Sequence, residues 1–247
     1  SRSNPITYIK AYDEIRSLFS NQKLSKSRDY KSGFFSFNVD GGRCDNCKGE
    51  GETTVEMQFM ADVHLLCDEC KGNRFKDEIL EIKFSDKNIS DILDLTVDEA
   101  LTFFTKNGEE RINKKIQPLQ DVGLGYVKLG QSSSTLSGGE AQRIKLASFL
   151  GKGENSEKII FIFDEPTTGL HFHDINKLLT SFNELIKKGH SVICIEHNLD
   201  VIKCADWIID LGPEGGDKGG NIVFGGTPED LIKNKISFTA KYLKKKL

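Results

Sequence analysis

The sequence predicts an α/β fold: a mostly parallel sheet with flanking helices, interrupted by an α+β region that carries four cysteines. Three observations predict it. Ile159 to Phe163 is a run of five apolar residues that ends in Asp164 and Glu165. A run so short and dense suits a strand buried on both faces of a parallel sheet. A second short apolar run, Ser191 to Ile195, follows after one helical stretch from about Asp174 to Lys188. Upstream of both, Cys44-x-x-Cys47 and Cys67-x-x-Cys70 stand nineteen residues apart, a spacing that fits a four-cysteine metal site.

Taken in order, residues 1 to about 38 begin with one helical stripe through Tyr8, Tyr12, Ile15 and Leu18 or Phe19. Bases and aromatics then mix: Lys23, Lys26, Arg28, Tyr30, Lys31, Phe34, Phe35 and Phe37. Positive charge beside stacking side chains suits a nucleic-acid surface. A solvated basic loop leading into an apolar strand reads equally well.

In the cysteine region each Cys-x-x-Cys forms a tight knuckle. Four thiolates give zinc a closed tetrahedral shell with no open catalytic position. Paired cysteines in a cytosolic chain favour metal over disulfides. His64 lies between the pairs, where a fifth ligand is not needed. Glu52 to Phe59 alternates as a hairpin strand, with Val55, Met57 and Phe59 on one face. Cys44 to Gly51 also matches one Cys-x-x-Cys-x-Gly-x-Gly unit of DnaJ-type zinc modules. The second copy is partial, with Arg74 where a glycine would stand, so such a module accounts poorly for the whole chain. Cys194 in a strand and Cys204 in a helical stretch read as buried and inert.

From Phe75 to Phe84 the chain alternates, with Leu80, Ile82 and Phe84 against Glu81 and Lys83. Ile89 to Phe104 is helical, with a capping box at Thr96 to Glu99. Ile112, Ile116, Leu119 and Val122 mark a further helix before the Gly123-Leu124-Gly125 turn.

Leu136-Ser137-Gly138-Gly139-Glu140-Ala141-Gln142-Arg143 then opens a helix with Ile144, Ala147 and Leu150 on one stripe and Arg143 and Lys145 pointing elsewhere. Ser137 is a good N-cap, and Glu140 three residues on completes a capping box. Two glycines let backbone amides approach a ligand, and a helix N-terminus binds phosphate. A plain capped helix would need only Ser-Gly-Gly. The longer Leu-Ser-Gly-Gly-Glu-x-Gln-Arg string resembles the signature of ATP-binding-cassette (ABC) ATPases.

Asp164 and Glu165 end the apolar strand, and Pro166 and Gly169 turn the chain. Carboxylates at the carboxyl end of a parallel strand stand where open α/β sheets bind ligands. Nucleotide hydrolysis uses two such groups, one to hold Mg²⁺ and one to orient or deprotonate water. This is a Walker B pattern, although a core strand can also end in two acids by chance. Glu196-His197-Asn198 ends the next strand, and His197 takes the place of the histidine that senses the γ-phosphate in ABC ATPases. No Gly-x-x-x-x-Gly-Lys-Ser/Thr occurs in the 247 residues. Gly151-Lys152-Gly153 lacks that spacing, and the chain begins at Ser1. The sequence therefore predicts a C-terminal fragment whose P-loop lies upstream, inactive as an ATPase by itself.

Trp207 to Leu211 reads as a strand, Asp217 to Gly220 as a turn and Ile222 to Phe224 as a strand. Thr227-Pro228-Glu229-Asp230 starts the last helix, with proline at its first position.

The bounds agree. The net charge is −3, so any nucleic-acid contact must come from a local patch. Hydrophobic residues are 37% and charged residues 29%, enough apolar material for a soluble globular core. Apolar runs are of strand length, far below the ~20 residues of a membrane span, and no signal or lipidation motif is visible. The expectation is cytoplasmic, with no membrane partner.

The whole chain resembles the C-terminal part of the UvrA family, the DNA-damage-recognition ATPases of bacterial nucleotide excision repair. The matching stretches are Ser3-Asn4-Pro5, Phe35 to Val39, Gly41 to Cys44, the paired cysteines, Leu129 to Gln131, Leu136 to Arg143, Asp164 to His171, Glu196 to Ile202 and Asp206 to Gly216. The resemblance implies four regions: a lead-in helix and basic/aromatic segment of the signature domain over 1–40, the four-cysteine zinc module over 41–76, the rest of that domain over 77–125, and the ABC subdomain over 126–247. It implies one structural Zn²⁺ on Cys44, Cys47, Cys67 and Cys70, and ATP with Mg²⁺. Ser137, Gly138, Gly139 and Glu140 would meet the γ-phosphate of an ATP bound largely by another cassette. Asp164 would hold Mg²⁺, Glu165 would be the base and His197 the sensor, with Gly169-Leu170-His171 linking sites. It further implies damaged double-stranded DNA as ligand, a homodimer through the cassettes and transfer of DNA to a UvrB-type subunit. Lys23, Lys26, Arg28 and Lys31 are the weaker candidates for phosphate contact. A transporter ATPase, a non-hydrolytic scaffold and a plain zinc-dependent DNA-binding module are the rival classes.

Overall fold

The first helical stripe forms two helices, not one. α1 spans Pro5–Tyr8 and α2 spans Tyr12–Ser20. Between them Lys10 takes a left-handed φ of 58°, which no α-helix can contain. Ile15 and Phe19 are buried, whereas Tyr8 is exposed and leaves the stripe. The computed structural model describes residues 3–55, 63–151, 157–214, 216 and 219–246. The chain divides into two units, Ser1–Asn155 and Ser156–Leu247.

The first unit is mainly helical. α3 (Lys23–Ser27) and a 3₁₀ turn over Ser32–Phe35 follow α2. Tyr12 Oη donates to Phe35 O at 2.6 Å, and Ser25 Oγ donates to Phe19 O at 2.6 Å. Both buried hydroxyls are thus satisfied, as burial requires. β1 (Glu52–Val55) pairs antiparallel with β2 (Val63–Leu66). Val55 lies on this hairpin, whereas Met57 and Phe59 lie outside the described residues.

The alternation read from Phe75 to Phe84 does not make a strand. α4 occupies Asp77–Leu80, and only an isolated bridge joins Phe84 to Lys87. Phe75, Ile79 and Ile82 are all fully buried. Their spacing of four and three is helical, and with all three buried it outweighs the period-two pattern. α5 (Ile89–Asp94) and α6 (Val97–Lys106) replace the expected single helix. Thr96 is an N-cap and therefore extended, so the capping box itself marks the break: Thr96 N donates to Glu99 Oε2 at 2.8 Å. α7 (Glu110–Asp121) buries Ile112, Ile116 and Leu119. α8 (Gly138–Leu150) packs on α7 and α1.

The second unit holds a parallel pair, β3 (Ile160–Asp164) beside β4 (Ser191–Ile195), joined by α9 (Phe172–Lys187). Phe163 packs on Phe182 of α9 at 4.8 Å between ring centroids. The strand is not buried on both faces, however. Ile160 and Ile162 are 65% and 66% exposed, and Ile193 and Ile195 are exposed beside them. Among the described residues α9 covers one face only, so the apolar run records a strand that could be buried twice but here is buried once.

After α10 (Leu199–Ile202), β5 (Ile208–Gly212) pairs antiparallel with β6 (Asn221–Gly226). Among the described residues the sheet is therefore not mostly parallel: one pair is parallel and two are antiparallel. A connection as short as that between β5 and β6 can close a hairpin but cannot cross over to a parallel neighbour. Within it, Asp217 and Lys218 lie outside the described residues. Thr227 caps α11 (Pro228–Leu231) as its sequence predicts, but the last helix is α12 (Phe238–Leu243). Cys204 is exposed and Cys194 only half-buried. α10 is four residues long and ends before Cys204, so no helix face carries that thiol inward. No described helix is long and apolar enough to cross a membrane.

Candidate functional site

Two knuckles bring the four cysteines together. Cys44, Cys47, Cys67 and Cys70 are all buried, and their sulfurs lie within 4.8 Å of one another. Cys44 Sγ is 3.9 Å from Cys67 Sγ, and Cys47 Sγ is 3.5 Å from Cys70 Sγ. Disulfides need about 2.05 Å, so these are free thiols. Four sulfurs at about 2.3 Å from a tetrahedral centre stand about 3.8 Å apart, so the spacing suits a metal ion.

The backbone explains the convergence. After Cys47, Lys48 and Gly49 take φ values of 52° and 87°; after Cys70, Lys71 and Gly72 take 49° and 91°. The two knuckles repeat the same left-handed pair. Gly51 at 81° matches Arg74 at 70°, so the residue that breaks the glycine repeat still adopts the glycine conformation. Arg74 is held there: Cys44 N donates to its carbonyl at 2.9 Å, and its Nη2 donates to Gly130 O at 2.9 Å. Amides also turn toward sulfur, with Gly51 N on Cys47 Sγ at 3.2 Å and Asn46 Nδ2 on Cys67 Sγ at 3.4 Å. Burial pushes the Cys44 thiol up to about 12. Burial also acts on Cys67, but backbone hydrogen bonds of Cys70 and Glu69 and the neighbouring thiols outweigh it and draw it down to about 7.

The signature turn lies in the same unit. Ser137 Oγ accepts from Glu140 N at 3.3 Å, and Glu140 Oε2 accepts from Ser137 N at 2.8 Å. Tyr126 Oη donates to the other Glu140 oxygen at 2.7 Å. Burial would raise Glu140, but Tyr126 and Ser137 together hold it below the usual carboxylate range. Gly138 and Gly139 follow at the first helical positions, where amides have no intrahelical acceptor. A Cβ on Gly138 would meet nothing within 4 Å, so the turn is open to a ligand. Arg143 does not point away from the core, as the stripe suggests. It is 1% exposed, and its charge acts on both Tyr126 and Glu140. A base three residues after the capping glutamate is the signal that could have revealed this.

Asp164, Glu165 and His197 belong to the second unit, at the carboxyl ends of β3 and β4. Glu165 has a left-handed φ of 45°. It is fixed by its N–H, which donates to Ile195 O at 2.9 Å, and by Thr168 N, which donates to its carbonyl at 3.1 Å. His197 Nε2 lies 3.6 Å from Glu165 Oε1. The arrangement can place a carboxylate and an imidazole against one phosphate edge. Sequence reasoning missed Glu196, whose carboxylate accepts from both Thr167 and the backbone after β4. Lys23, Lys26, Arg28 and Lys31 lie on α3 and the turn after it, and all four are exposed. Arg28 is occupied, with Nη2 on Glu81 at 2.5 Å and Nη1 on Glu78 O at 3.0 Å.

No family model matches the chain. UvrABC system protein A of Clostridium acetobutylicum is 57% identical over 246 residues, covering all of this chain and 26% of that protein. The Aquifex aeolicus protein of the same name is 56% identical over the same length, again covering 26% of that protein. Among solved structures, UvrA2 from Deinococcus radiodurans matches with a TM-score of 0.87 and 45% identity, over all of this chain and 30% of that one. A mixed α/β chain with this turn, this acid pair and this likeness is of the ATP-binding-cassette class. Over the length it spans, about a quarter of its curated relatives, the chain belongs to the UvrA family.

Proposed function

We propose that this chain is the C-terminal part of a DNA-damage-recognition ATPase of nucleotide excision repair. The observation that carries the reading is the meeting of Glu165 and His197 at 3.6 Å beside the ends of two paired parallel strands, in a chain similar throughout to UvrABC system protein A. Asp164 holds Mg²⁺, Glu165 takes the proton of the attacking water and His197 contacts the γ-phosphate. Ser137, Gly138, Gly139 and Glu140 form the cap that closes on nucleotide held by another cassette, which makes the protein a dimer through its cassettes. The phosphate-cradling loop lies outside this stretch, so the stretch alone does not turn over ATP.

Cys44, Cys47, Cys67 and Cys70 hold one structural zinc. The regions 1–40, 41–76 and 77–125 serve the signature domain, and 126–247 the cassette. The reading places the protein in the cytoplasm, passing damaged duplex DNA to a UvrB-type subunit. Recognition of distorted duplex without sequence preference rests on backbone contacts and deformability.

The test uses the full-length protein with damaged and undamaged duplex across a salt series. Damaged duplex is expected to bind more tightly. Lys26→Ala and Lys31→Ala should each weaken binding and lower the salt slope by about one. Arg28→Ala should do less, because Glu81 already occupies that guanidinium. Equal affinity for both duplexes would sink the repair reading, and unchanged slopes would remove this patch from it.

A further inference from the structure

Glu196 joins the turn after the acid pair to the backbone that carries His197. Its Oε1 accepts from Thr167 N at 2.9 Å and from Thr167 Oγ1 at 2.6 Å. Its Oε2 accepts from His197 N at 3.0 Å and Asn198 N at 3.2 Å. Four donors on two oxygens fill the ordinary capacity of a carboxylate. Bonds to a charged acceptor are roughly twice as strong as neutral ones.

The placement has a structural logic. The parallel ladder ends at Asp164 and Ile195. Glu165 N extends it by one backbone bond to Ile195 O at 2.9 Å. Beyond that point the strands diverge into two turns, and the next cross-link is the Glu196 side chain. The ladder itself fixes the strand register, so Glu196 is not needed for pairing. What it fixes is the turn Pro166 to Gly169 relative to His197.

Two carboxylates therefore flank His197, and they differ in what they can do. Glu196 has both oxygens engaged. Glu165 makes one long contact to Thr168 Oγ1 at 3.5 Å and the His197 contact. The first suits holding and the second suits proton transfer, because a base needs a lone pair free to accept.

We propose that Glu196 is a positioning residue of the ATPase site, which ties the turn after Glu165 to the backbone of His197 and keeps the two functional side chains in register. The inference rests on the ATPase reading above. Its effect falls on turnover and not on nucleotide binding, since misplacing a reacting group by about 1 Å costs up to 100-fold in rate.

The experiment measures ATP turnover and nucleotide affinity in the full-length protein and in a short series of variants. Glu196→Ala is expected to lower kcat at least about tenfold with nucleotide affinity within about twofold. Glu196→Gln, which keeps one carbonyl acceptor, should recover part of that loss. Thr167→Val should lower kcat a few-fold, and the Glu196→Ala/Thr167→Val double variant should be no slower than Glu196→Ala, because both remove one link. A thermal unfolding midpoint unchanged from wild type separates positioning from misfolding. Glu196→Ala within about twofold of wild-type kcat, or losses that multiply in the double variant, overturn the inference. Glu165→Gln in the same series separates the two readings. If it is inactive while Glu196→Ala is normal, only the positioning role fails. If the wild type itself turns over no ATP, the ATPase reading fails and takes this inference with it.

Discussion

Cys67→Ser is expected to leave the protein without the zinc proposed for it and to unfold its cysteine module. Wild type should carry one equivalent per chain and the variant less than about a tenth of that, because a structural site binds through the full tetrahedral set. The reason lies in what holds residues 41–76 together. The buried cluster there consists of Cys44, Cys47, Cys67 and Cys70 themselves. Val55, Val63, Leu65 and Leu66 of the hairpin are exposed, so among the described residues these strand positions add no core. Against this stand Lys48, Lys71 and Arg74, three non-glycine residues with left-handed φ, each costing on the order of 1–2 kcal/mol. A short segment whose described buried cluster is four cysteines does not order itself under those costs. Apparent zinc binding in finger peptides, ~10–16 kcal/mol, is large enough to supply the difference.

The readout is hydrogen exchange together with metal content. Amides over 44–55 and 63–74 should lose protection in Cys67→Ser, whereas the core around Ile15, Phe19, Phe104 and Ile116 keeps it. Zinc uptake by the reduced metal-free protein should release protons, since burial keeps Cys44 and Cys70 protonated near neutral pH. A metal-free, reduced protein that keeps the module protected would show that the knuckles stand without metal, and would break the four-cysteine reading.

Much of this is legible in the sequence, and what is not has physical causes. The two Cys-x-x-Cys pairs, the capping boxes at Thr96 and Ser137 and the apolar runs around Ile162 and Ile193 are local signals whose geometry is set within a few residues. The structure realises each as a knuckle, a cap or a strand. The failures share a different character. Phe75, Ile79 and Ile82 satisfy a helical spacing, whereas Ile82 and Phe84 satisfy an alternating one, and only the direction of the core decides. The capping box inside Ile89 to Phe104 is compatible with one helical pattern, although an N-cap must also interrupt whatever precedes it.

Burial on a second face is an inference from composition alone. Composition records what a strand tolerates, not what covers it in this stretch. Arg143 reads as solvent-facing because charged residues are rarely buried unpaired, and its burial beside Tyr126 and Glu140 depends on a tyrosine from outside its own helix. Arg74 is the opposite case. Its departure from the glycine repeat looks like a loss of the motif, yet its backbone keeps the motif's φ and its side chain takes on a link to Gly130 that no glycine could make.

Glu165→Gln in the full-length protein should lower ATP turnover by at least about 100-fold while leaving nucleotide affinity nearly unchanged. The substitution keeps size and shape but removes the group that can take a proton from water. On the proposed reading, Glu165 suits that role better than its neighbours. Asp164 precedes it on the strand and is better suited to hold Mg²⁺. Glu196 has both oxygens occupied by four donors. Of the three acids, Glu165 combines a largely open carboxylate with an imidazole at 3.6 Å.

Its backbone supports the same assignment. A non-glycine residue at a φ of 45° costs on the order of 1–3 kcal/mol and persists only where neighbours over-determine it. Here Ile195 O and Thr168 N provide that constraint, which fixes where the carboxylate starts before any ligand binds. His197→Ala tests the partner: if the imidazole contacts the γ-phosphate and does not serve as the base, its loss should weaken nucleotide binding as well as turnover, unlike Glu165→Gln. Near-normal turnover in Glu165→Gln would remove it from the base role. Loss of nucleotide binding in that variant would instead make it a ligand-holding group and remove it from the base role.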